Sequence, residues 1–184
     1  MKTKGELTKE KILQVAMNLF GKKAFTSVSI RQIAKVAEIS PALIYKYYAD
    51  QEELYFEVMK LASHELLEEL KDCKTLEKLV ETYIHFMITT ETLFQLMTHF
   101  MIDSERPGSH FPIIKEIDKV LTLLEEKIPL TNAKMESQLL FSTLNGLLIT
   151  YRNLPNRNKD EALIHIQKLA NYYIINLKER SLKR

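Results

Sequence analysis

Two helix-start signals lie eleven residues apart in the segment SIRQIAKVAEISPALIYKYY. Ser29, followed three residues later by Gln32, has the S-x-x-Q form of a capping box. Ser40 is a good N-cap, and Pro41 stands at the first helical position, where its missing N–H is not needed. Because just two residues separate the two helices, the chain must turn steeply between them. The segment therefore predicts a helix-turn-helix.

The rest of the chain also has apolar residues at helical spacing. Ile12, Ala16 and Phe20 share one face of a first helix from Leu7 to Lys22, and a fourth helix should run from Asp50 to about Leu70. Further helices are predicted at Leu76 to Thr89, Glu91 to Asp103, Phe111 to Ile128, Thr131 to Asn153 and Lys159 to Lys183. No alternating strand pattern occurs, so the predicted fold is all-α.

Composition limits the class of protein. The chain has 184 residues, of which 46% are apolar and 27% charged, as in soluble globular proteins. Its longest apolar-rich run, LLFSTLNGLLIT, is too short to cross a bilayer, and no signal-peptide pattern opens the sequence. Cys73 is the single cysteine and cannot form an internal disulfide. We therefore expect a cytoplasmic protein.

Charge is unevenly distributed along the chain. Residues 1–50 carry nine Lys and Arg against four Asp and Glu, a net +5, and the remainder carries −3. A basic N-terminal region is suited to contact with a polyanion such as DNA. The alternative is an ordinary solvated surface.

A family resemblance covers roughly the first quarter of the chain. The segment LTKEKILQVAMNLFGKKAFTSVSIRQIAKVAEISPALIYKYYADQEEL resembles the DNA-binding domain of TetR-type transcriptional regulators. The matching positions are Ile33-Ala34, Ser40, Ile44-Tyr45, Tyr47-Tyr48 and Glu53-Leu54. The resemblance implies an N-terminal three-helix bundle with the helix-turn-helix in residues 1–49. A long helix would join it to a larger helical domain in residues 50–184, which binds an effector and dimerises.

The same resemblance implies which residues contact DNA. Pro41, Ala42 and Leu43 would face base edges, while Tyr45, Lys46 and Tyr47 would reach phosphates or thymine methyl groups. The further predicted DNA-binding residues are Ser29 and Arg31 at the start of the second helix, Ser40 at the cap of the third helix, Lys4 in a flexible N-terminal arm with Lys2, and Gln51. None of the predicted base-facing side chains is a bidentate reader of guanine or adenine, so we expect an AT-leaning operator with substantial shape readout.

Five positions depart from the family pattern. The family usually has glycine where this chain has Ala24, Glu38 and Ala42, and phenylalanine and lysine where it has Tyr48 and Gln51. Losing a lysine at position 51 removes one phosphate contact, although the Gln51 amide could still donate a hydrogen bond to a phosphate. Helical periodicity favours a packed position for Tyr48, on the inner face beside Ile44.

The last two helices are predicted to supply the interface of a homodimer, since a palindromic operator requires a two-fold protein. The predicted interface residues are Leu139, Thr143, Gly146, Thr150, Leu163, Ile166, Ala170, Tyr173 and Leu177. These residues recur three and four apart, which is suited to close helix packing. The alternative is that they form intramolecular core.

An aromatic and methionine-rich segment between residues 83 and 101 suggests an adaptable apolar effector pocket. The predicted pocket residues are Tyr83, Met87, Phe94, Met97, Phe100 and Met101, together with Asn145. An ordinary helical core would have the same pattern.

The sequence favours a regulator over an enzyme. His64-Glu65-Leu66-Leu67-Glu68 lacks the second histidine of a zincin, no phosphate-binding glycine loop occurs, and Cys73 has no evident partner base, so no catalytic, metal or cofactor site is predicted. We expect a repressor that leaves a palindromic operator when a small apolar or amphipathic molecule binds. The alternatives are a constitutive DNA-binding regulator and a helical protein-interaction module.

Overall fold

The computed structural model describes residues 3–102, 112–155 and 158–182. These ranges contain helices and no strand, which confirms the all-α prediction. The helices are α1 (Lys4–Phe20), α2 (Ile30–Ala37), α3 (Pro41–Tyr45), α4 (Gln51–Lys71), α5 (Leu76–Thr89), α6 (Glu91–Ile102), α7 (Pro112–Glu125), α8 (Ala133–Tyr151) and α9 (Lys159–Leu182). Among the described residues, no helix has the length and hydropathy that a membrane span requires.

The chain divides into two compact units. The first comprises Met1–His64 and Glu91–Ile113, and the second comprises Glu65–Thr90 and Ile114–Arg184. His64 and Glu65 are consecutive residues of α4, so this helix contributes residues to both units. The predicted boundary between residues 49 and 50 separates a DNA-binding region from an effector-binding region instead of two compact units. It stays a prediction.

Helix α1 begins three residues earlier than the sequence pattern predicted. The hydroxyl of Thr3 accepts a hydrogen bond from the Glu6 amide at 3.3 Å, and the Glu6 carboxylate accepts one from the Thr3 amide at 2.7 Å. This reciprocal capping box starts the helix at Lys4. The prediction of a flexible arm is therefore wrong for Lys4, and Lys2 lies outside the described residues.

An aromatic cluster forms part of the core of the first unit. The Phe20 and Tyr55 rings meet edge to face at 4.9 Å, and Phe25, in a short 3₁₀ turn (Phe25–Ser27), contacts both of them. The buried Tyr55 hydroxyl donates a hydrogen bond to the Leu96 carbonyl of α6 at 3.1 Å. Packing and a hydrogen bond together fix α4 against α1 and α6 in this unit.

Tyr48 is also fully buried in the first unit, as the helical period predicted. Its hydroxyl has no hydrogen-bond partner among the described residues, and the Lys9 ammonium lies 5.7 Å from the ring centroid. Burial, followed by the Glu57 and Glu53 carboxylates, raises the pKa of Tyr48. The phenol therefore stays protonated at neutral pH, and its hydroxyl contributes no hydrogen-bond energy to the stability of the fold.

Helices α5, α8 and α9 form the centre of the second unit. Buried residues on α9 recur four, four, four and three apart, so one continuous stripe faces inward. The stripe consists of Ala162, Ile166, Ala170, Ile174 and Leu177. The opposite side of α9 exposes Ile164, Tyr172 and Ile175, at 66%, 72% and 57% of their surface.

This orientation corrects part of the predicted dimer interface. Ile166, Ala170 and Leu177 have no exposed surface and are core residues of the second unit, so they cannot offer a surface to another chain. Leu163, Tyr173 and Thr143 are half-buried, and Leu139, Gly146 and Thr150 are exposed. The physical reason is that α9 is apolar on both sides, and the side facing α5 and α8 became core.

A buried carboxylate joins α8 to α9 within the second unit. Glu136 is 3% exposed and accepts two hydrogen bonds from the Arg180 guanidinium, at 2.9 and 3.2 Å, and one from the Tyr173 hydroxyl at 3.3 Å. Because a buried carboxylate needs such partners, these contacts fix the register of the two helices.

We predict opposite outcomes when phenylalanine replaces two buried tyrosines. Tyr55→Phe removes a donor to a carbonyl and should lower the free energy of unfolding by about 1 kcal/mol. Tyr48→Phe removes a hydroxyl without a partner and should leave stability unchanged or raise it by up to about 1 kcal/mol. Urea denaturation followed by circular dichroism measures both. Equal losses in the two variants would contradict the assignment of the Tyr55 hydrogen bond.

Candidate nucleic-acid interface

The turn between α2 and α3 is made by a residue in the left-handed region. Glu38 has φ 54° and ψ 43°, the single non-glycine residue with positive φ among those described. Its amide donates to the Lys35 carbonyl at 3.3 Å, and the Ile39 amide donates to the Ala34 carbonyl at 3.0 Å. These bonds end α2 in a Schellman arrangement, which redirects the chain toward α3.

Helix α3 is short and is held by its cap and two buried side chains. The Ser40 hydroxyl accepts a hydrogen bond from the Leu43 amide at 3.3 Å, and Pro41 occupies the first turn. Ile44 and Tyr48 are 0% and 1% exposed. Ile44 belongs to the helix and Tyr48 follows it by three residues, and because both point inward, the other flank of the helix faces solvent.

The predicted DNA-contacting residues of α3 lie on this outer flank to different degrees. Pro41, Ala42 and Lys46 are exposed, and Tyr45 is 54% exposed. Leu43 is half-buried. An exposed tyrosine and lysine beside small apolar groups can donate to phosphates and contact thymine methyl groups.

Tyr47 lies beside the first turn of α1. Its side chain is half-buried, and its hydroxyl is so near Gly5 that a side-chain carbon on that residue would contact it at 3.5 Å. Lys4, exposed at the start of the same turn, is thereby brought near the end of α3. Lys4 and Tyr47, which are 43 positions apart in the sequence, thus lie in the same region of the first unit.

The start of α2 presents two more of the predicted residues. Ser29 completes the capping box expected from the sequence, since its hydroxyl accepts from the Gln32 amide at 3.3 Å and the Gln32 side chain accepts from the Ser29 amide at 2.9 Å. Arg31 is exposed. The cap leaves the Ser29 hydroxyl hydrogen able to donate outward, which suits a contact to the DNA backbone.

Gln51 differs from the sequence expectation. Its side-chain nitrogen donates to the Phe25 carbonyl at 3.1 Å, in a half-buried contact within the protein. One donor of the amide is thus used inside the bundle. No local sequence pattern connects these two residues, so the sequence alone does not predict the contact.

The predicted effector-pocket residues belong to two units and are described separately. In the second unit, the buried Tyr83 hydroxyl donates to the Asn145 side-chain oxygen at 2.9 Å, and the Asn145 amide donates to the Phe141 carbonyl at 2.8 Å. Met87 is buried in the same unit. Burial raises the pKa of Tyr83, so this hydroxyl remains a donor. The hydrogen-bonded pair of Tyr83 and Asn145 thus places polar groups inside an apolar core.

The remaining pocket residues are on α6. Phe94 is buried and Met97 is half-buried in the first unit. The side chains of Phe100 and Met101 lie outside the described residues. The pocket therefore stays a prediction. No group of three or more potential metal-ligating side chains occurs in the part of the chain that the structure describes.

Sequence comparison decides the family of this helix-turn-helix. The pattern of "Bacterial regulatory proteins, tetR family" matches residues 12–58, from within α1 through α3 into α4. Residues 12–58 are therefore a TetR-family helix-turn-helix region. The HTH-type transcriptional regulator QacR of Staphylococcus aureus is 29% identical over 92 residues, or 48% of this chain. The match spans about half of QacR, 49% of its length.

Solved TetR-like structures match nearly the whole chain. A transcriptional regulator from Saccharomonospora viridis, solved in complex with choline, has a TM-score of 0.72 at 16% identity and covers 92% of this chain and 96% of its own. NalD, the secondary repressor of the MexAB-OprM efflux pump in Pseudomonas aeruginosa, has a TM-score of 0.67 at 18% identity, covering 93% and 97%. At these identities the likeness is one of fold. The relatives are regulators rather than enzymes.

We predict that Glu38→Gly stabilises this TetR-family domain. A side chain in the left-handed region costs about 1–2 kcal/mol, of which the greater unfolded-state freedom of glycine cancels about half. The free energy of unfolding should therefore rise by about 0.5–1 kcal/mol. Lys35→Gly is the matched control, because the same change at an exposed helical position should lower stability by about 1 kcal/mol. Urea denaturation tests both, and a loss in the Glu38 variant would refute the assigned turn.

Proposed function

We propose that this chain is a DNA-binding transcriptional regulator that acts as a homodimer in the cytoplasm. In this proposal it represses transcription from a palindromic operator and is released when a small apolar or amphipathic molecule binds residues 50–184. The exposed outer flank of α3 is the observation that carries the proposal. Its Tyr45 and Lys46 lie in the solvent, while Ile44 and Tyr48 anchor the helix from behind.

The chemistry of this flank indicates how DNA is bound. Lys46 and the Tyr45 hydroxyl can donate to phosphate oxygens, and Ala42 offers a methyl group to thymine. Ser29 and Arg31 at the start of α2 add backbone contacts. Because none of the base-facing side chains can form a bidentate pair with guanine or adenine, recognition relies on AT content and on the shape of the duplex.

A dimer is supported by the apolar residues that α8 and α9 leave exposed in the single chain. They are Met135, Leu139, Ile149, Ile164, Tyr172 and Ile175, each at least 45% exposed. Large exposed apolar side chains on neighbouring helices are typical of an interaction surface. A second copy covering this surface would supply the two-fold symmetry that a palindrome needs.

An effector is supported by the interior of the second unit. Tyr83 and Asn145 present a hydrogen-bonding pair within an apolar core, and the flexible side chain of Met87 can adapt to a ligand. The choline found in the Saccharomonospora viridis regulator supports a small amphipathic molecule as the chemical class. Binding would shift α4 and thereby change the separation of the two α3 helices in the dimer.

We predict specific, salt-dependent binding to a palindromic duplex selected by the protein from a random-sequence library. Lys46→Ala should weaken binding to every duplex. It should also reduce the slope of log affinity against log salt concentration by about one, the contribution of a single phosphate contact. Tyr45→Ala should also weaken binding, while circular dichroism shows an intact fold. Fluorescence anisotropy across a salt series gives both quantities.

Lys119→Ala is the matched control for these variants. This exposed lysine pairs with Glu116 on α7, so its loss should leave the affinity for the duplex unchanged. If both α3 variants bound like the parent, the assignment of α3 would be wrong. If the parent protein selected no duplex, the result would favour the alternative that the chain is a helical protein-interaction module.

We further predict that a small molecule lowers operator affinity. A coupling of about 1–3 kcal/mol corresponds to a loss of about 5- to 150-fold. The measurement titrates the complex of protein and selected duplex with a chemically broad panel that begins with choline and other organic cations. If no compound changed the affinity, the regulator would be constitutive, and DNA binding would be unaffected by that result.

A further inference from the structure

The Gln51 side chain links two segments that are far apart in the sequence. Its amide nitrogen donates to the Phe25 carbonyl, at a separation of 26 residues. Gln51 is the first residue of α4, and Phe25 opens the 3₁₀ turn that leads into the Ser29 cap of α2. The hydrogen bond therefore joins the chain just before the helix-turn-helix to the chain just after it.

A ring contact reinforces the same junction. Tyr55, one helical turn beyond Gln51, meets the Phe25 ring edge to face at a centroid distance of 5.2 Å. The hydrogen bond acts on the Phe25 backbone, and the ring contact acts on its side chain. Both are made by α4, so this helix fixes the position and the orientation of the segment that enters α2.

The first turn of α4 is itself capped by two side-chain hydrogen bonds. The Glu53 amide donates to the Asp50 carboxylate at 2.8 Å, and the Glu53 carboxylate accepts a hydrogen bond from the Ala49 amide. These caps hold the backbone of Gln51 in place. A restrained backbone directs the amide toward Phe25 with little loss of further conformational freedom.

We propose that Gln51 is a positioning residue for DNA binding and makes no contact with DNA itself. By holding the Phe25 carbonyl, it fixes the start of α2, where Ser29 and Arg31 are proposed to bind phosphates, relative to α3. This inference rests on the proposed function. It replaces the expectation from the sequence that the Gln51 amide donates to a phosphate.

A double-mutant cycle with Arg31 tests the inference. The variants are Gln51→Met, which keeps the length of the side chain but cannot donate, Arg31→Ala, and the two together. The probe is the highest-affinity duplex that the parent protein selects from a random-sequence library. We expect Gln51→Met to weaken binding by about fivefold in the parent, the effect of one hydrogen bond, and by less than about twofold when Arg31 is already absent. Additive losses would overturn the proposal, because a direct phosphate contact acts independently of Arg31.

Hydrogen exchange provides a second readout that needs no DNA. The Ser27 and Val28 amides donate to the Ala24 and Phe25 carbonyls in the segment that Gln51 holds. In Gln51→Met their exchange should accelerate by about fivefold, and unchanged exchange would overturn the proposal. If the parent selected no duplex, the proposed function would fail, while this measurement would still decide whether Gln51 holds the segment.

Gln95→Ala is the matched control. Its amide donates to the Glu91 carboxylate at 3.2 Å on the surface of α6, so the variant loses a glutamine hydrogen bond elsewhere in the same unit. It should change neither duplex affinity nor exchange at residues 27 and 28. Thermal unfolding of all variants confirms that affinities refer to folded protein. An effect in Gln95→Ala equal to that in Gln51→Met would overturn the proposal, because it would show a general loss of stability.

Discussion

Burial of Ile44 and Tyr48 is the constraint on which the rest of the first unit depends. Helix α3 has five residues, far fewer than a helix needs to be stable in water by itself. Its conformation is therefore imposed by a serine cap and by two side chains in the core of the bundle. Ile44 lies within the helix and Tyr48 three residues beyond its end, so burying both fixes the helix from one side and leaves its other side to solvent. The proposed DNA-contacting flank thus follows from packing on the opposite side.

Two buried tyrosine hydroxyls, one in each unit, have hydrogen-bond partners at defined positions, which specifies how the helices pack. Tyr55 bonds to Leu96 in the first unit, and Tyr83 bonds to Asn145 in the second. A sliding of either pair of helices would leave a buried donor or acceptor unsatisfied, at a cost of about 1–3 kcal/mol. Apolar packing tolerates such slips better, since one methyl group can replace another. These hydrogen bonds therefore select one register among several that the apolar core would accept.

Local signals in the sequence predicted the helix-turn-helix well, whereas contacts between residues far apart in the sequence were not predictable from it. The caps at Ser29 and Ser40 involve residues within four positions of each other, so their pattern is visible in the sequence. The tie between Gln51 and Phe25 has no such pattern. On α9 the periodicity showed that residues share a face, but both faces are apolar. Which one became core depended on α5 and α8, and for this reason Ile166 and Leu177 were assigned to the wrong surface.

Three of the departures from the TetR pattern, at positions 38, 48 and 51, each give up something in energy. Glu38 places a side chain in a backbone region suited to glycine, and Tyr48 buries a hydroxyl without a partner among the described residues. The Gln51 amide donates to the Phe25 carbonyl within the protein, whereas a lysine at this position would contact a phosphate. Each change gives up stability or an electrostatic contact. The changes at positions 38 and 48 therefore act on the stability of the first unit, and on the proposed function only the change at position 51 acts on the affinity for DNA.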